Sequence, residues 1–137
     1  MSETYISAAL RRLVAHRANY CCEYCLIHEE DTFFGCHVDH IISEKHGGQT
    51  NAENLGYACG FCNLHKGSDL GSLTVNGELC RFFNPRRDNW NTHFLLEEAF
   101  IQSLTDVGEV TARILQFNHV DRLLEREALI AASRYPP

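Results

Sequence analysis

Cys22-Glu23-Tyr24-Cys25 and Cys59-Gly60-Phe61-Cys62 are two Cys-x-x-Cys knuckles, and the 33 residues between them enclose His37-Val38-Asp39-His40-Ile41-Ile42. Thiolates bind zinc tightly, and each knuckle turn aims two sulfurs at one point, so the pair has the spacing of a tetrahedral four-cysteine zinc site. Closing such a site brings both ends of the enclosed segment together. It also sets Asp39 and His40 beside Asn63, the residue that follows the second knuckle. A shell of four sulfurs leaves no open coordination position, so this zinc is read as structural.

Working outward, Cys21, Cys36 and Cys80 are the cysteines left over from a total of seven, an odd number that argues against a pure disulfide framework. Cys21 competes with its neighbour for the first knuckle, but only Cys22 gives the two-residue spacing. Met1 to Leu10 has neither a basic leader region nor a long apolar run, and no stretch approaches the length of a membrane span. We expect a cytosolic protein with no membrane partner, in a reducing compartment where paired cysteines hold metal more often than disulfides. The net charge of −6 does not advertise a nucleic-acid binder. Residues 1–70 carry five basic and nine acidic side chains and residues 71–137 seven and nine, so contact with a polyanion must rely on local patches or bound cations.

Periodicity places a helix over Ile6–Arg17, a short β segment at Phe33-Phe34, and a strand over His37–Ile42. Ser43–Asn54 reads as loop, Leu55–Ala58 as a returning strand, and a short helix from Gly60 carries Cys62, Asn63 and Lys66 until Gly67 stops it. Beyond Ser68 we expect a hairpin over Leu73–Phe83 turning at Asn76-Gly77, and a polar loop leading to Trp90. Phe94–Leu104 stays undecided. Helices are expected over Glu109–Phe117 and His119–Arg134, the second burying Val120, Leu123, Leu124 and Ala128 on one face. With no linker in view, residues 1–137 read as one domain, with a motif core over about 20–67 and an extension over about 68–137.

Taken together, Cys22-x-x-Cys25, Val38-Asp39-His40-Ile41-Ile42, Gly47-Gly48, Asn54-Leu55 and Cys59-x-x-Cys62-Asn63-x-x-Lys66-Gly67 make the chain resemble the HNH endonuclease family. More narrowly it is similar to zinc-stapled members whose last motif residue is Asn. The resemblance spans about a third of the chain. It implies an α+β fold: a ββα-metal unit with a structural four-cysteine zinc, flanked by an N-terminal helix and a C-terminal hairpin plus helices. It also implies metal-dependent hydrolysis of DNA phosphodiester bonds. His40 matches the general base, Asp39 and Asn63 the ligands of a catalytic cation, and Asn54 the residue that holds the loop and the base in place. An amide oxygen at Asn63 favours Mg²⁺ or Mn²⁺ over softer metals. Ser43 departs from the proline common after Ile-Ile, a change expected in loop rigidity.

Other readings stand beside these. In a regular strand Asp39 and His40 point to opposite faces, so the strand must end or bend at the site. His37 shares a face with Asp39 and is a second ligand candidate, against a plain structural role; His65 should face elsewhere. Lys66 is a candidate phosphate contact, or a partner of its own helix dipole. Arg86 and Arg87, with Arg81 and Trp90, form a candidate DNA-backbone grip, against a loop that Trp90 anchors to the core. The functional alternative is a zinc-stapled nucleic-acid-binding module that does not cut. A monomer with one site would nick; a double-strand break needs a dimer or two events.

Overall fold

The computed structural model describes residues 5–137; residues 1–4, which open the Met1–Leu10 stretch considered above for a leader, lie outside the described residues. Helix α1, Ala8–Arg17, begins after Ser7, whose hydroxyl accepts the Leu10 amide and satisfies one of the free N–H groups of the first turn. Ile6, expected inside the helix, precedes this cap and is buried with Val14, Leu55 and Tyr57.

Strand β1, Cys36–His40, pairs antiparallel with β2, Leu55–Cys59, setting Cys36 opposite Cys59 and His40 opposite Leu55. Helix α2, Gly60–Lys66, follows at once and is stopped by Gly67 at a φ of 52°, a left-handed value suited to glycine. Every residue of β2 is buried, with α1 and α2 both packed on it. This is the ββα unit. Its first strand ends at His40, two residues before the expected Ile42. The expected β segment at Phe33-Phe34 is absent: both rings are exposed and meet edge-to-face at 4.8 Å, after a 3-10 turn at Glu29–Asp31. Aromatic residues favour strands only where a pleated, half-buried surface receives them, and none does here.

The extension opens with a hairpin, β3 (Gly71–Leu73) and β4 (Leu79–Arg81), with Gly77 left-handed at φ 81° in its turn. A short helix α3, Trp90–His93, leads into a second hairpin, β5 (Phe94–Glu97) and β6 (Phe100–Ser103), which resolves the undecided stretch. Helix α4, Asp106–Ile114, starts three residues before the expected Glu109 because the Thr105 hydroxyl accepts the Gly108 amide. Helix α5 covers Val120–Ala131. One hydrophobic cluster joins Cys22, Cys25, Cys59 and Cys62 to Phe83, Phe94, Leu115, Phe117 and Tyr135, so the unit and the extension share a core.

The expected inner face of α5 is wrong. Val120 and Leu124 are 60% and 58% exposed, and the residues turned inward are Arg122 and Arg126. The reason is the acceptors they meet there, while Leu129 and Ile130 carry the helix's apolar contact with the core. Arg126 donates from Nε to the Ala99 carbonyl and from Nη2 to the Phe117 carbonyl, both at 2.7 Å.

Candidate active site and metal centre

The four knuckle sulfurs lie within 4.8 Å of one another and all four residues are buried. Cys25 Sγ and Cys59 Sγ are 3.7 Å apart, far too long for a disulfide. A tetrahedral zinc with Zn–S bonds of about 2.3 Å needs sulfur–sulfur edges of about 3.8 Å. Each knuckle also turns an amide onto its first sulfur, Cys25 N to Cys22 Sγ at 3.5 Å and Cys62 N to Cys59 Sγ at 3.4 Å. The donor set fits zinc. Cys22 is the member that joins it, while the Cys21 thiol lies 3.4 Å from the Asn19 carbonyl.

Arg122 supplies what sequence reasoning missed. Its Nη2 lies 2.9 Å from Cys25 Sγ and 3.7 Å from Cys59 Sγ, and its guanidinium sits 4.4 Å over the Phe61 ring inside the second knuckle. Burial works to lower its pKa, but the thiolates of Cys25, Cys62 and Cys59 outweigh that and raise it. Four thiolates around one zinc carry a net charge of −2, and this cation offsets part of it. No spacing rule links residue 122 to residue 25; the only signal was a pair of arginines four apart, Arg122 and Arg126, on one face of the helix.

His40, Asp39 and Lys66, three of the candidate site residues, meet where β1 ends. His40 is 4% exposed, with Nε2 2.8 Å from Thr50 Oγ1 and 3.9 Å from Glu44 Oε1. Lys66, on the last turn of α2, is 2% exposed; its Nζ lies 3.5 Å from Asp39 Oδ2 and donates to the His40 carbonyl at 3.2 Å. Burial pushes this ammonium below the usual lysine range, partly offset by the Asp39 carboxylate. The strand thus terminates under a lysine that grips the Asp39 carboxylate and the His40 backbone carbonyl. Asn63 stands three positions before Lys66 on the same helix, a spacing that shares a face.

Asn54 holds the loop. Its Oδ1 accepts the Ile42 amide, and its Nδ2 donates to the carbonyls of Ile42 and Gln49, each at 2.9 Å. Ser43 replaces proline's stiffness with hydrogen bonds: its hydroxyl accepts the Lys45 amide, and its carbonyl accepts those of His46 and Gly48. At Gly48 a Cβ would fall 1.7 Å from the Ile42 carbonyl oxygen. The loop closes only around a bare backbone.

The remaining candidates sit elsewhere. His37 is exposed, and His65 stacks on Phe61 at 4.2 Å with Nδ1 2.9 Å from the Phe61 carbonyl. Arg86 is turned inward, paired with Glu23 and reaching the Leu55 carbonyl at 3.3 Å, whereas Arg87 is exposed. Trp90 donates its indole N–H to the Tyr24 carbonyl at 2.8 Å, the core anchor among the two readings of that loop. Among the described residues, no second cluster of three or more His, Cys, Asp or Glu side chains is placed to hold a metal. No helix of the described residues is long and apolar enough to cross a membrane.

Residues 22–69 match the family model described as HNH endonuclease, from the first zinc-knuckle cysteine to just past the Gly67 stop. No curated protein and no solved structure matches the chain. A ββα unit, a four-sulfur cluster at its base and a family match over the same residues agree: residues 22–69 of this chain are an HNH endonuclease domain.

Proposed function

We propose that the protein hydrolyses phosphodiester bonds in DNA, with His40 as general base. The observation that carries this reading is the seating of His40: buried at the strand end, next to Asp39, with one ring nitrogen engaged by Thr50. In the tautomer whose Nε2–H donates to Thr50 Oγ1, the lone pair lies on Nδ1, the nitrogen that would take a proton from the attacking water. A base positioned this way contributes roughly a hundred- to ten-thousand-fold.

Asp39 and Asn63 offer a carboxylate and a carboxamide oxygen, a set that suits Mg²⁺ or Mn²⁺ retaining several waters and taking its other oxygens from substrate phosphate. When bound, such a cation stabilises charge growing on the phosphate and the leaving oxygen. Lys66 holds Asp39 and the His40 backbone in register, and Asn54 keeps the following loop closed over them. The phosphate itself meets few fixed cations here, since Arg86 is engaged with Glu23.

The test is nicking of supercoiled plasmid by zinc-loaded protein with Mg²⁺ or Mn²⁺, beside His40→Ala checked for folding. Wild type should nick and the variant should lose a hundredfold or more of that rate. Equal rates in the two would remove His40 from the mechanism, and no nicking by wild type with any metal would favour a non-cleaving module.

A further inference from the structure

A cleft of about 740 Å³ runs between α1 and the outer edge of β1, and its walls include Arg11, Arg12, His16, Tyr20, His37 and Tyr57. It is the cationic part of an acidic molecule. Most other arginines are neutralised in place: Arg81 by Asp88, Arg86 by Glu23, Arg113 by Glu109, Arg122 by Glu125 and Arg134 by Asp31. Among the described residues, Arg11, Arg12, His16 and His37 have no carboxylate at ion-pair distance. The carboxylates that touch the cleft wall are committed. Glu29 accepts the Tyr57 hydroxyl, and Glu23 accepts the Tyr57 amide while paired with Arg86.

The aromatic part suits the same ligand. Tyr20 is 42% exposed on the wall and its ring meets His16 edge-on at 6.3 Å. A half-exposed ring among unpaired cations is the pairing that takes a nucleic-acid strand, phosphates on the arginines and a base or sugar on the ring. Position gives the third argument. His37 lies two residues before Asp39 on the same strand face, about 7 Å away at the rise of a β-strand. The cleft and the Asp39–His40 site therefore share β1, with His37 on the wall of the one and two residues from the other.

We infer that the α1–β1 cleft binds the DNA strand flanking the cleaved phosphate, Arg11 and Arg12 holding its backbone and Tyr20 packing on its sugar or base. The inference rests on the DNA reading of the neighbouring site. It also explains how an acidic chain holds a polyanion: recognition is concentrated in one groove.

The experiment measures binding of a fluorescent DNA duplex by anisotropy across a salt series, in buffer without Mg²⁺ so that no cut is made. Wild type is compared with Arg11→Ala/Arg12→Ala, with Arg12→Glu, and with Arg113→Gln, which removes one positive charge from α4. Arg12 is exposed and makes no side-chain hydrogen bond among those described, so Arg12→Glu serves if the double variant misfolds. Each lost phosphate contact should make the log–log salt slope shallower by about 0.9, hence about 1.8 for the double variant, with at least a tenfold loss of affinity at low salt for Arg12→Glu. Arg113→Gln should leave the slope unchanged. Plasmid nicking is scored in parallel. Nicking by wild type, with slopes equal in all variants, overturns the cleft and leaves the nuclease standing. A slope that depends on Arg11 and Arg12 without nicking keeps the cleft and overturns the nuclease. Neither binding nor nicking overturns both.

Discussion

Arg122 is the residue on which the metal centre leans from outside. An N–H donor on a metal-bound thiolate draws charge from sulfur and fixes its direction, and loss of such partners typically costs ten- to a hundredfold in metal affinity. Arg122→Ala should therefore release zinc to a chromogenic chelator about ten to a hundred times faster than wild type. Arg122→Lys keeps the charge but not the planar guanidinium that sets Nη2 against Cys25 and Cys59 while lying over Phe61, and should fall between them. The Co²⁺-substituted protein offers a second readout. Its sulfur-to-cobalt absorption should shift in both variants, and an unmoved spectrum with unchanged release would leave Arg122 as mere packing.

The paired glycines after β1 differ although they look alike. Gly47 has a left-handed φ of 87° but open space around it, so an alanine there meets only backbone strain, about 1–2 kcal/mol. Gly48 has no room at all beside the Ile42 carbonyl and Asn54 Nδ2. Gly48→Ala should lose several-fold more activity than Gly47→Ala, and more stability by thermal melting, because it opens the loop that Asn54 closes. The β4–α3 connection makes a pH prediction. Two hydrogen bonds from Arg81, at 2.7 and 3.0 Å, hold the Asp88 carboxyl below the usual carboxylate range. A depressed folded pKa contributes stability that is present above the unfolded value and lost as pH falls through the folded one. Arg81→Gln should be less stable than wild type by about 1 kcal/mol at neutral pH, and the gap in urea midpoints should close as the acid range is entered. A gap constant with pH would detach the effect from Asp88.

At this scale the sequence was most legible where chemistry fixes spacing. The knuckles, β1, β2, the Gly67 stop and the Asn76-Gly77 turn all follow from residue type and interval. The end of β1 was legible to within two residues, the excess being β-branched Ile41 and Ile42, which read as strand but follow the Lys66 grip. Thr105 hid the start of α4 because a cap is only visible once the amide it bonds is known. The inner face of α5 was not legible, since hydrophobic periodicity presumes an apolar partner, and Arg122 and Arg126 dock this helix on thiols and carbonyls.

For the whole molecule, the shared core makes zinc a condition of more than the HNH unit. Zinc binding in small modules supplies on the order of 10 kcal/mol of folding free energy, comparable to the about 5–15 kcal/mol that holds a domain together. Chelation should therefore unfold the unit and the extension in one step. The single tryptophan, Trp90, sits in the extension and is bonded to Tyr24 inside the first knuckle. Its fluorescence and the far-ultraviolet circular dichroism should change along one curve as chelator is added. Two separated transitions would show that the extension stands on its own.

An inner face of arginine also carries a direction in time. Hydrocarbon can collapse on any hydrocarbon, but a buried guanidinium is costly until its acceptors exist. The acceptors of Arg122 are sulfurs held in a finished knuckle, and those of Arg126 are carbonyls fixed by the β5–β6 turn and the end of α4. Helix α5 is thus expected to dock after the knuckles and the β5–β6 hairpin, an order that synthesis favours, since the metal ligands are complete at residue 62 and Arg122 follows 60 residues later. On that order its arginines would act as a check on assembly, closing the molecule best over a centre already filled.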